Sequence, residues 1–110
     1  MKQYVIDQLR ETDYDKIRSY LDANTEKAPL DGVYRVMLPQ ELYTDLQHEH
    51  ASCQPYYFSV NLSLRELQIE WLVRSLQVIR CGCIAYATRP QRDFIIDFGD
   101  KMLEELDLRL

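Results

Sequence analysis

Tyr56-Tyr57-Phe58-Ser59-Val60-Asn61-Leu62-Ser63 is the stretch on which the fold turns. Tyr56, Phe58, Val60 and Leu62 fall on one face, and Tyr57, Ser59, Asn61 and Ser63 on the other. That period of two is what a strand with one buried face requires. Downstream, Ser63-Leu64-Arg65-Glu66 matches a helix capping box. Against a helix there, Ile69, Trp71 and Val73 alternate with Gln68, Glu70, Leu72 and Arg74 and are β-branched or aromatic. A second strand is therefore expected, with Arg65-Glu66 near a hairpin turn. A third should run from Val78 to Ala87 after a turn at Leu76-Gln77, and Pro90 should start a last helix reaching about Leu108.

Working upstream, Asp31-Gly32 leads into a strand over Val33–Leu38, and Pro39 opens a helix to about His50. Loop residues cluster between Asn24 and Gly32. Thr12 is placed to cap a helix over Asp13–Ala23, with Asp13 and Asp15 in its first turn and Tyr14, Ile17 and Leu21 at helical spacing. Gln3–Leu9 reads equally as a short strand or a helical turn. The expected architecture is α+β: an antiparallel sheet of about four strands, a three-strand meander plus one, with helices at both ends of the chain packed on one face. Phe58, Val60, Trp71, Val73, Phe94 and Phe98 should share one core.

A chain of 110 residues fits a single domain, here residues 1–110, and can bury a core without disulfide or metal staples. With 46% hydrophobic and 28% charged residues, disorder is not expected. A net charge of −5 argues for solubility and against a broad nucleic-acid or anionic-membrane surface. The opening Tyr4-Val5-Ile6 is broken by Asp7 and Arg10 before a signal-peptide core can form, so a cytoplasmic protein with reduced cysteines is expected. Only three glycines are present, too few for a phosphate-cradling loop or dinucleotide fingerprint, and no nucleophile elbow or zinc-protease motif occurs.

Every Cys and His falls in two clusters, His48-Glu49-His50-Ala51-Ser52-Cys53 and Cys81-Gly82-Cys83. Helical phase puts Tyr43, Leu46 and His50 on an inward stripe and His48 outside. Strand phase puts Cys81 and Cys83 on one face with Ile79, Ala85 and Ala87. His50, Cys53, Cys81 and Cys83 could thus converge on zinc or iron. The plainer expectation is that no cofactor is bound and that Cys81 and Cys83 are small core residues, because zinc knuckles use longer cysteine spacings.

The polar sheet face carries Tyr57, Ser59, Asn61, Glu70, Arg74, Arg80 and Tyr86, with Arg35 near them. Tyr57, Glu70, Arg74, Arg80 and Tyr86 form a candidate binding surface, since Tyr and Arg are enriched in interface hot spots. Arg89 and Arg92 flank Pro90, where they could hold an anion at a helix start. The plainer expectation is an Arg89–Asp93 ion pair. On the last helix, Phe94, Ile95, Ile96, Phe98, Met102, Leu103, Leu106 and Leu110 span an arc of roughly 200°, wide enough for a second apolar contact. The leading expectation is a small protein-binding or regulatory domain without catalytic activity, engaging a protein partner or a second copy through that helix. A metal-binding module is the alternative, and an enzyme using Glu70, Arg74 and Arg80 the third reading.

Overall fold

The computed structural model describes residues 2–108. Among them, seven strands form one mixed-length sheet in which every pairing is antiparallel. The strands are β1 (Gln3–Ile6), β2 (Glu26–Lys27), β3 (Val33–Met37), β4 (Tyr56–Leu62), β5 (Leu67–Glu70), β6 (Leu72–Ser75) and β7 (Ala85–Tyr86). The α-helices are α1 (Glu11–Asn24), α2 (Asp45–Glu49) and α3 (Arg89–Glu105). The fold is α+β as expected, but about four strands understates the sheet. The undecided opening is an edge strand, and Glu26–Lys27 adds another edge inside the segment read as loop.

The alternation in β4 is confirmed: Tyr56, Phe58, Val60 and Leu62 are all buried. Cross-strand registers line up Tyr4, Ile69, Val60 and Tyr34 in one row. Helix α3 presses on this row at Gly99, where a Cβ would lie 3.3 Å from Ile69 Cδ1 and 3.8 Å from Tyr4 Cε2. Ile17 and Leu21 of α1 and Ile95 and Met102 of α3 complete the same core. At Phe58 the rings of Phe94 and Phe98 meet its ring edge-on, 6.2 and 5.9 Å between centroids.

The second strand of the hairpin is not continuous. Val60 faces Ile69 and Tyr57 faces Arg74, so three steps along β4 correspond to five on the opposite strand. The two additional residues form a bulge around Trp71, which splits the strand into β5 and β6. Before the bulge the outer edge pairs with β1; after it, with β7. Trp71 tips onto the core and stacks on Tyr4 at 6.0 Å. Val73 belongs instead to a second cluster with Leu38, Tyr43, Cys53, Tyr56 and Cys83, so the six residues expected to share one core are divided between two. Ser63 caps no helix: its N–H and hydroxyl both donate to the Glu66 carbonyl, closing the hairpin turn.

Helix boundaries differ where local hydrogen bonds override the apolar pattern. Helix α1 starts at Glu11 rather than Asp13, because Asp13 reaches back to the backbone N–H of Arg10 at 3.0 Å. The helix expected from Pro39 to His50 is three pieces. A 3₁₀ turn, Gln40–Leu42, precedes α2, and a second, Ala51–Cys53, follows it. Thr44 restarts the chain as a fresh cap, its hydroxyl accepting from the Gln47 N–H at 3.2 Å. Helix α3 is capped by Thr88 and ends at Glu105; Leu110 lies outside the described residues.

Candidate metal centre

The strand expected over Val78–Ala87 shrinks to β7, and residues 76–84 form a loop. The cause sits at Ser75, whose Oγ accepts the N–H groups of Gln77 and Val78 at 3.1 Å each. With those donors turned inward, the chain leaves the ladder. The Ser75 hydroxyl itself donates to the Cys53 carbonyl, tying loop and 3₁₀ turn together. At the far end Ile84 N–H donates to the Cys81 carbonyl at 3.0 Å, closing a tight turn over Gly82-Cys83. Cys81 and Cys83 therefore share a point because of a turn, not a strand face. Ile79 and Ala85, expected beside them in the core, are exposed.

His50 also arrives by a different route. It is the residue after α2, at φ −91° and ψ 64°, and its N–H donates to the Leu46 carbonyl at 3.1 Å. Its own carbonyl accepts from the Cys53 N–H at 2.9 Å. One backbone corner thus aims His50 and Cys53 at the same place. Leu46, expected to face inward, is exposed, and Gln47 is buried in its stead. His48 is exposed and leans on the Tyr43 ring, 5.4 Å between centroids.

The donor atoms of His50, Cys53, Cys81 and Cys83 all lie within 4.8 Å of one another, and the three cysteines are free thiols. In a tetrahedral zinc site with Zn–S near 2.3 Å, sulfurs stand about 3.7 Å apart, so the four donors need only close slightly around a single ion. A multi-iron cluster would spread its cysteines more widely. Cys53 and Cys83 are buried; His50 and Cys81 are half-buried. His50 Nδ1 stands 3.1 Å from Cys81 Sγ.

Crowding three thiols forces their protons apart. Cys81 is lowered to about 6, first by the backbone N–H and then the side chain of Cys83, with His50 and Cys53 adding to it against the effect of burial. Cys53 is pushed up to about 11, chiefly by burial and then by its bonds to Cys83 and Cys81. The buried Tyr56 phenol is raised by desolvation and by Cys83 beside it. One thiolate thus forms readily and opposes the next, a pattern that a divalent cation would relieve.

A polar shell braces the site. Gln47 Nε2 donates to the Cys83 carbonyl at 3.3 Å, and Gln91 Nε2 donates to Gln47 Oε1 at 3.0 Å. The sequence reading missed both glutamines. The signal available was Thr-x-x-Gln at residues 44–47 and 88–91, each a capping box.

The other candidate residues divide between two places. Tyr57 pairs across the strands with Arg74, Arg35 lies 5.4 Å over the Tyr57 ring, and Arg74 bonds Glu70 at 3.1 Å. Arg80 sits exposed on the 76–84 loop. Tyr86 stands apart from that group, with Lys2 5.3 Å over its ring, beside a cleft of about 560 Å³ that Trp71 and Arg92 also line. Arg92 lies 5.3 Å over Trp71. Arg89 is exposed, and the expected Arg89–Asp93 pair is not among the ion pairs of the described residues. The apolar side chains of α3 from Phe94 to Leu103 are buried or half-buried, and none is strongly exposed.

No protein-family model matches the chain, and neither the curated proteins nor the solved structures contain a match. Among the described residues no helix is long and apolar enough to cross a membrane.

Proposed function

We propose that this protein is a metal-binding module in which His50, Cys53, Cys81 and Cys83 hold one zinc ion that fastens the 76–84 loop to the second core cluster. The observation that carries this reading is the convergence of four soft donors from two distant stretches of chain within 4.8 Å. Three thiolates and an imidazole suit zinc over magnesium or calcium, and zinc outranks ferrous iron at such a site. Four protein ligands leave no open position for substrate, so the role is structural rather than catalytic. Elemental analysis of purified protein should find one zinc per chain, and chelation should lower its melting temperature. Cys83→Ser and His50→Ala should each lose the metal, whereas His48→Ala should retain it. Metal-free protein whose melting temperature ignores chelators would overturn the proposal.

A second reading, a protein-binding domain, is favoured by the same loop, which presents Leu76, Val78 and Ile79 outward. Protein-binding domains commonly place contact residues on loops held by a rigid scaffold.

A further inference from the structure

We infer that the 76–84 loop and the adjoining sheet form a docking surface for an acidic peptide segment of another protein, one that inserts a single large apolar side chain. The metal reading enters only in that the ion would fix the loop's shape. Among the exposed large apolar residues, Leu30, Leu46 and Leu64 stand singly, but Leu76, Val78 and Ile79 crowd into one loop, and Ile79 is 90% exposed. Contiguous exposed apolar groups of this kind mark interaction sites more often than scattered ones do.

A groove of about 170 Å³ runs behind them, walled by Tyr57, Ile84 and the loop's aliphatic side chains. Small-molecule pockets start near 300 Å³, so this one suits an anchoring side chain rather than a whole ligand.

Charge selects the occupant. Arg35 and Arg74 line the groove, and Arg80 follows Ile79 along the exposed loop. No acidic side chain of the described residues lines it, although the chain as a whole carries −5. Glu70 pairs with Arg74 from the buried side, at 3.1 Å, so the net positive charge of the rim comes mainly from Arg35 and Arg80. A local cationic rim around an apolar slot, on an otherwise acidic molecule, is complementary to carboxylates flanking an aliphatic or aromatic residue.

Selection of displayed short random peptides on the full chain tests this. Acidic residues flanking one large apolar residue should be enriched. A fluorescently labelled peptide of that consensus should bind with an affinity that falls as salt rises. Ile79→Ser and Arg35→Glu should each weaken it by about tenfold, while Leu64→Ser, a change at an exposed leucine elsewhere, should not. A consensus without acidic bias, or binding indifferent to Ile79→Ser and Arg35→Glu, overturns the inference. So does a preference for phosphatidylserine vesicles over the peptide. Metal content measured on the same preparations separates the two readings: zinc without an acidic consensus overturns the docking surface alone, and the consensus without zinc supports it while removing the metal.

Discussion

The side-chain amide of Gln91 donates to Oε1 of Gln47 at 3.0 Å, joining the third residues of two threonine-capped helices that are far apart in the chain. Each glutamine also accepts the backbone N–H of its own capping threonine, at 2.9 Å for Thr44 and 3.0 Å for Thr88. Gln47 Nε2 also donates to the Cys83 carbonyl, and Gln91 Nε2 to that of Leu42. Two caps, a 3₁₀ turn and the cysteine turn thus become one buried polar knot, and no buried side-chain polar atom of the described residues is left without a partner.

Gln91→Leu should cost about 1–3 kcal/mol, since the Leu42 carbonyl and the Thr88 N–H lose partners that burial makes expensive to lose. Denaturant melts of Gln91→Leu, Gln47→Leu and the double variant should give a coupling above about 0.5 kcal/mol. Strict additivity would show that the two caps act independently.

Gln47 holds the backbone of one ligand, so Gln47→Ala should keep zinc but bind it about 10–100-fold more weakly, as losses around metal ligands commonly do. Competition against a chromophoric chelator reads this directly. Unchanged affinity would mean that the Cys83 carbonyl needs no anchor.

Phe58→Ala should cost about 3–5 kcal/mol, because the ring is fully buried between Phe94 and Phe98. Phe98 is only half-buried, so Phe98→Ala should cost less. Equal losses in urea melts would contradict the packing described.

The hairpin, the last helix and the identity of the four donors were legible because each rests on spacing alone. Tyr56 to Leu62 alternate without interruption, and Pro90 marks the first turn of α3. What failed was phase carried across a hidden break. Nothing resembling a glycine or proline announces the bulge at Trp71, and the apolar alternation runs through it unbroken. Thr44 starts α2 and Ser75 ends β6 with their hydroxyls, which a hydropathy pattern does not register. Gln47 and Gln91 escaped notice because glutamine is usually a surface residue. The four residues that converge were thus grouped for the wrong backbone reasons.

Asp13 ties acid stability to the start of α1. Its carboxyl is held below the usual range first by hydrogen bonding to the Arg10 side chain and then by the Arg10 backbone N–H. A depressed folded value stabilises the protein above the unfolded value, about pH 4, and that stability is lost as pH falls through the folded one. Asp13→Asn should therefore be less stable at neutral pH and flatter below about pH 4. Melts across the acid range showing parallel curves for the two proteins would rule this out.

Gly32→Ala should destabilise by about 1–3 kcal/mol, since the residue sits at φ 78° and a Cβ would come 2.7 Å from the Leu62 carbonyl oxygen. Wild-type stability in that variant would mean that the turn before β3 can reshape freely.

The bulge gives one strand two successive neighbours, and this sets an order of assembly. Gln3 has no partner until Glu70 has been made, and Leu72 none on its outer side until Tyr86 follows. Strand β1 must therefore wait, with Ile6 uncovered, until Leu67–Glu70 has been synthesised. Closing so long a loop costs entropy before any contact offsets it, so folding should be late and slow rather than progressive. A nascent chain stopped short of residue 86 would carry an open sheet edge, which makes this stage of biogenesis the one where chaperones and aggregation compete for the protein.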